Sequence, residues 1–231
     1  MIHNLETQRK IERTGRSVAF YKKVFGDVIA PENTKTILDV GAGDSSFANN
    51  VRQLGQSVTR VDMDYINDPP EGTNWIPADA TNLEAFRSQY DVVISVFMMQ
   101  HLNREDQSKA LENMIEATVE RNDDSFGYQG VVGIYPVYKS EKLRALIDSS
   151  GFYGRAVVVD TAAPSMVQLS IKEQANAAYS TLLIVNDDTM NESRKRDLAM
   201  IVASSDALTR RTTISDIARR AFMKPGVNRR G

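Results

Sequence analysis

Cysteine is absent from this 231-residue chain, which removes disulfides, thiolate zinc sites and cysteine nucleophiles from its chemistry. An enzyme that attacks a pyrimidine ring through a thiolate is excluded with them. Histidine occurs only twice, and no metal centre is expected. Nowhere does the sequence reach the ~18 consecutive apolar residues of a membrane span. The opening MIHNLETQRKIERTGR carries charges with no apolar core behind them, unlike a secretory leader. A soluble, cytoplasmic protein without a membrane partner is the expectation. A strong charge of either sign is also missing: 28 basic residues against 30 acidic ones give a net charge of −2. That balance speaks against wholesale coating of nucleic acid and leaves room for a local basic patch or a small substrate. No repeat and no low-complexity segment occurs.

What is present is an ordinary globular composition, 42% hydrophobic and 25% charged, in a length suited to one α/β domain with additions. The organising stretch, residues 36–48, reads TILDVGAGDSSFA. Thr36, Ile37, Leu38 and Val40 form a short apolar, β-branched run suited to a strand buried on both faces, and Gly41-Ala42-Gly43 breaks it. Asp44, Ser45 and Ser46 are good helix caps, and Phe47, Ala48, Val51 and Leu54 fall at helical spacing before Gly55. The unit predicted is strand, glycine loop, helix, with loop N–H groups and the positive helix end turned towards a negative ligand group.

A dinucleotide site would want a third glycine where Ser46 stands, and a pyrophosphate would be repelled by Asp39. An ammonium group would be attracted by Asp39, while the loop amides receive a carboxylate, so the ligand end expected is zwitterionic. In this the chain resembles the class I S-adenosylmethionine-dependent methyltransferases, whose first motif, acid-x-Gly-x-Gly, is matched by Asp39-Val40-Gly41-Ala42-Gly43. The resemblance implies an α/β fold with a doubly wound, mostly parallel seven-stranded sheet, S-adenosyl-L-methionine as cofactor, and methyl transfer by in-line displacement at the sulfonium. Two readings from other classes stand beside it, a dinucleotide-dependent oxidoreductase and a noncatalytic subunit that keeps the fold as a scaffold.

Residues 57–61 predict a second strand ending at Asp62, about twenty residues past the glycine loop, where an acid can accept from ribose hydroxyls. Asp62 matches the family's ribose-binding acid, with Asp64 as fallback, and Asn67-Asp68-Pro69-Pro70 reads as a loop. A short third strand over 75–77 leads to Asp79. By the resemblance Asp79 accepts from the adenine amino group; as a plain structural residue it would cap a helix over 83–87. Residues 90–102 predict the fourth strand and its exit loop, followed by a helix over 103–120, and residues 95–102 should border cofactor and substrate. His101 is the candidate catalytic base, although a histidine at this place in the family is mainly structural. Together with Ala42, Met63, Ala80, Ser95 and Val96, these residues are the expected cofactor surroundings.

The chain is read as a single domain with an N-terminal helical cover (1–33), a catalytic core (34–188) and a C-terminal helical extension (189–231). Residues 5–28 have a helical pattern broken near Gly15. The family's Lys-Pro-Gly-Gly turn is replaced by residues 121–130. Strands are expected over 131–135, 156–159 and 180–185, with a helix over 140–149 and, by resemblance, an antiparallel last pair. Residues 161–178 are too long for a hairpin. Tyr21, Phe25, Phe97, Met98, Met99, Tyr135 and Tyr138 are expected to line an apolar pocket for a small organic acceptor. The net-basic tail instead suits a nucleic acid or an acidic partner. Its helical segment 213–223 needs an apolar surface, on this chain or on a partner, a second copy included.

Overall fold

The computed structural model describes residues 17–30, 34–43, 45, 47–48, 55–63, 75–120, 129–138, 156–160 and 179–186. The helices expected within 1–16, 140–149 and 189–231, the loops 64–74 and 121–128, and the insertion 161–178 lie outside those residues.

Seven strands form one sheet: β1 (Thr36–Val40), β2 (Ser57–Val61), β3 (Trp75–Ile76), β4 (Val92–Val96), β5 (Val131–Tyr138), β6 (Ala156–Asp160) and β7 (Tyr179–Val185). Their order is β3-β2-β1-β4-β5-β7-β6. Strands β1 to β5 pair in parallel, whereas β7 runs antiparallel between β5 and β6, as expected for the last pair. The central strands β1 and β4 are rich in β-branched residues and buried on both faces, β4 throughout its length. At the sheet's entrance Asp91 Oδ2 accepts from the N–H groups of Lys35 and Thr36, each at 2.9 Å, while the Asp91 N–H donates to Thr36 Oγ1 at 2.9 Å. β1 and β4 therefore start in fixed register.

Because side chains alternate across a strand, the sheet has two apolar faces. On one face lies α1 (Val18–Phe25). Ser17 caps it by accepting from the Phe20 N–H, and Gly26, at φ 59°, ends it. Its Phe20, Tyr21, Val24 and Phe25 join Ile37, Val58, Val92, Ile94 and Val131 in one buried cluster. Burial of each such side chain stabilises the fold by about 1.5–3 kcal/mol. Thr181 Oγ1 adds a 3.0 Å hydrogen bond to the Val24 carbonyl. On the other face lies α2 (Arg104–Ala117), capped by Asn103, with Ala110, Leu111, Met114, Ile115 and Ala117 buried.

Several element boundaries differ from expectation. The helix foreseen over 83–87 is only a 3-10 turn, Glu84–Phe86, without a side-chain cap. Its end is set by tertiary contact: Ser88 takes φ 54° and donates to the Glu116 carbonyl. The helix foreseen to 120 stops at Ala117, because Thr118 turns extended and bridges to Tyr90. The third strand loses Pro77, which has no N–H for the ladder, while β5 continues to Tyr138 past a register shift between Ile134 and Val137. Among the described residues no helix is long and apolar enough to cross a membrane.

Gly133 on β5 lets α1 settle on the sheet, since a Cβ there would lie 2.8 Å from Phe25 Cε1 and 2.9 Å from Cδ1. Gly133→Ala should destabilise the protein by about 1–3 kcal/mol, typical of overpacking. A thermal melt should show this as a loss of several degrees, and an unchanged melting temperature would mean that α1 does not rest there.

Candidate functional site

The glycine loop meets the carboxyl end of β2. Gly41 and Gly43 take φ values of 70° and 51°, which side chains rarely adopt. A Cβ on Gly41 would also lie 2.5 Å from Cβ and Cγ of Met98, so the exit loop of β4 closes directly over this glycine. The loop amides do not wait for a ligand carboxylate, as the sequence reading expects. Gly41 and Ala42 both donate to the Val61 carbonyl, at 2.8 and 3.2 Å, and Gly43 donates to Asp62 Oδ2 at 2.8 Å. Ser45 N–H closes a turn on the Ala42 carbonyl, and Ser45 Oγ accepts from Phe47 N–H, where the following helix begins. A backbone bent this tightly needs partners for its polar groups, and the adjoining strand supplies them.

Asp39 is expected near the ligand, but its side chain points from β1 into the α1 face and is 0% exposed. It accepts a 2.7 Å hydrogen bond from the Tyr21 hydroxyl of α1. Beside it in register on β2 stands Arg60, 3% exposed. Burial lowers the pKa of the Arg60 guanidinium, while the charges of Asp39 and Tyr21 act in the opposite direction. An arginine remains a cation at neutral pH even so.

Asp62 is half-buried at the tip of β2, its carboxylate oriented by the Gly43 N–H. Met63 beside it is 55% exposed and Ile76 on β3 is 41% exposed, the two large apolar side chains that the described surface leaves open. Asp79 is exposed, and its Oδ1 accepts from the Thr81 N–H and Oγ1 at 2.8 and 2.9 Å. It organises a turn before Leu83 and does not cap the 3-10 segment. Ala80 is partly buried against the α2-side cluster.

At the end of β4, Ser95 is wholly buried, and among the described residues its Oγ has no hydrogen-bond partner. Val96 is buried on the α1 face. Phe97, expected as pocket lining, has φ 57°, a strained value for a bulky residue. It is held there by a 2.7 Å bond from its N–H to the Tyr135 carbonyl and by ring packing. Its ring stacks on Phe20 at 6.1 Å and meets Tyr135 edge-on at 5.7 Å. Met99–His101 form a 3-10 turn, and Gln107 of α2 donates to the Met99 and Leu102 carbonyls. The His101 ring is exposed, its Nε2 3.4 Å from Gln100 Nε2. Of the pocket foreseen for the acceptor, Tyr21, Phe25, Phe97, Met99 and Tyr135 are buried core residues and Met98 is half-buried. They are taken up by the packing of α1 and of the exit loop, and the Tyr138 side chain lies outside the description.

Tyr21→Phe deletes the hydroxyl donor from a buried carboxylate and should lower stability by about 1.5–3 kcal/mol. Urea denaturation measures this, and a midpoint equal to that of the wild type would show that Asp39 does not depend on Tyr21.

Residues 38–118 match a family model described as a methyltransferase domain. No curated protein matches the sequence. Among solved structures the chain is similar to an S-adenosylmethionine-dependent methyltransferase of Thermotoga maritima, at 14% identity and a TM-score of 0.50, over 80% of this chain and 96% of that one. It is also similar to 1,6-didemethyltoxoflavin-N1-methyltransferase of Burkholderia thailandensis, solved with 1,6-didemethyltoxoflavin and S-adenosylhomocysteine (16% identity, TM-score 0.47, 68% of this chain, 73% of that one). A third is magnesium protoporphyrin IX methyltransferase of Synechocystis PCC 6803 with bound cofactor (15% identity, TM-score 0.46, 78% and 80%). At such identities the likeness concerns the fold. The acid-x-Gly-x-Gly loop lies inside the segment that matches the methyltransferase domain, and that segment is carried by a seven-stranded, mostly parallel sheet.

Proposed function

We propose that the chain transfers the methyl group of S-adenosylmethionine to an oxygen, nitrogen or carbon nucleophile of a small organic acceptor. The observation that supports a small acceptor is the docking of α1 on the β4 exit loop, Phe20 stacked on Phe97. A cover that packs on this loop narrows the approach to the reacting end of the sheet, which suits a compact molecule better than a polymer lying across an open groove.

The residues at the sheet's carboxyl end fit the cofactor. Ser95 Oγ is a buried polar atom with no partner among the described residues, and Met63 and Ile76 offer open apolar surface beside two carboxylates. Asp62 would accept from the ribose hydroxyls, Asp79 and Ala80 would meet the adenine amino edge, and Met63 would flank the ring. Ala42 and the glycines would shape the backbone wall, with Ser95 and Val96 opposite. The bound cofactor supplies an activated sulfonium methyl. Because that group is already activated, the protein's part is to hold the acceptor in line and exclude water. A base is needed only for a protonated acceptor.

Asp62→Ala should weaken S-adenosylmethionine and S-adenosylhomocysteine alike by about 1.5–3 kcal/mol, the loss typical of hydrogen bonds to a charged group. Calorimetry with unchanged affinity would remove Asp62 from the ribose, and tight NADH binding by the wild type would favour an oxidoreductase. Label from methyl-tritiated cofactor should enter the low-mass fraction of a cell extract; salt-sensitive labelling of RNA or protein instead would overturn the small acceptor.

His101, exposed on its turn, is expected to be dispensable as a base. His101→Gln should keep most of the turnover and the wild-type pH profile. A sharp drop in rate at unchanged cofactor affinity would restore it as the general base.

A further inference from the structure

Arg60 lies where a parallel, doubly covered sheet normally carries an aliphatic residue. It is 3% exposed, and taking a cation out of water at such a position is costly unless its surroundings compensate it. The register of the strands supplies the compensation. Asp39 is its neighbour on β1 and Trp75 its neighbour on β3, so three side chains form a row across the same face. The guanidinium carbon stands 4.1 Å from the centre of the Trp75 ring, a cation–π stack. Tyr21, donating to Asp39, closes the row from above and is itself stacked on Phe47 at 4.3 Å.

From this site Nη1 of Arg60 donates to the Ser45 carbonyl at 3.1 Å. Ser45 is the residue at which the glycine loop turns into the next helix, bonded backwards to Ala42 and forwards to Phe47. Arg60, Val61 and Asp62 are consecutive, and each holds a different part of the same loop: Ser45, then Gly41 with Ala42, then Gly43.

We propose that Arg60 is a positioning residue for the cofactor, one that acts through the Ser45 carbonyl and the loop rather than by contact. Its planar fork suits this role, since it stands beside Asp39 in register, lies over an aromatic ring and donates to a carbonyl at the same time. A lysine ammonium cannot do all three. The inference rests on the reading that the Gly41–Gly43 loop forms the cofactor wall.

Calorimetric titration of the full chain with S-adenosylhomocysteine tests it, using wild type, Arg60→Met, Arg60→Lys and the core variant Leu111→Ala. Arg60→Met should bind at least tenfold more weakly, and Arg60→Lys should fall between it and the wild type. Leu111→Ala should melt earlier and keep wild-type affinity. Trp75 is the chain's single tryptophan, so its emission should shift in both Arg60 variants and stay unchanged in Leu111→Ala, a local signature that general destabilisation does not produce. If the wild type fails to bind, the reading of the loop fails and this inference with it. If the wild type binds and either folded Arg60 variant binds equally well, the inference alone fails. Should Arg60→Met not fold, Arg60→Lys decides on the same criterion. A loss of affinity in Leu111→Ala as large as in the Arg60 variants would also overturn it.

Discussion

The carboxyl end of β2 is the support on which the glycine loop depends. A loop with two left-handed glycines turns several N–H groups to one side, and such groups are costly when buried unmet. Here the Val61 carbonyl takes two of them and the Asp62 carboxylate takes a third. The loop is therefore shaped before any ligand arrives. The amides of Gly41, Ala42 and Gly43 are thus engaged by the strand that follows them, and the side chains around the loop are the groups left to meet a ligand in the proposed reading.

The same economy governs the charges. Asp39 and Arg60 are both removed from water, and each would be expensive alone. Side by side, with a tyrosine hydroxyl on the carboxylate and an indole under the guanidinium, they form a compensated unit that links β1, β2, β3 and α1. The cover helix is thereby tied to the strand that opens the glycine loop. Its second tie, Phe20 on Phe97, reaches the exit loop of β4. One short helix thus touches the strand that opens the glycine loop through a polar contact and the exit loop of β4 through an apolar one.

Much of this architecture was legible in the sequence, and the parts that were not have physical reasons. The β-branched runs at 36–40, 57–61, 92–96 and 131–135 announce buried parallel strands, and the spacing from Gly43 to Asp62 survives as a direct 2.8 Å contact. The role of Arg60 was invisible because its partners come from β1, β3 and the loop, none of them near in sequence. The aromatic residues at 21, 25, 97 and 135 looked like pocket lining, since their sequence positions point to the reacting end of the sheet. Only the packing of α1 shows that they spend their area on one another. Residues 83–87 carry a helical pattern, yet the backbone bond from Ser88 to Glu116 ends the segment after one turn.

Phe97 shows how the opposite wall is held. A bulky residue keeps a positive φ only where its surroundings over-determine it, and here a backbone bond to Tyr135 and two ring contacts do so. The turn that follows aims Met98 at Gly41, so close that any side chain on the glycine would collide with it. Gln107 then secures the rest of the exit loop from α2 through the Met99 and Leu102 carbonyls. Both walls of the site are thus positioned from behind, one by β2 and the other by aromatic packing and α2. Ser95 Oγ, buried where β4 gives way to the exit loop, has no hydrogen-bond partner among the described residues, so the end of β4 carries a polar atom that the described packing does not account for.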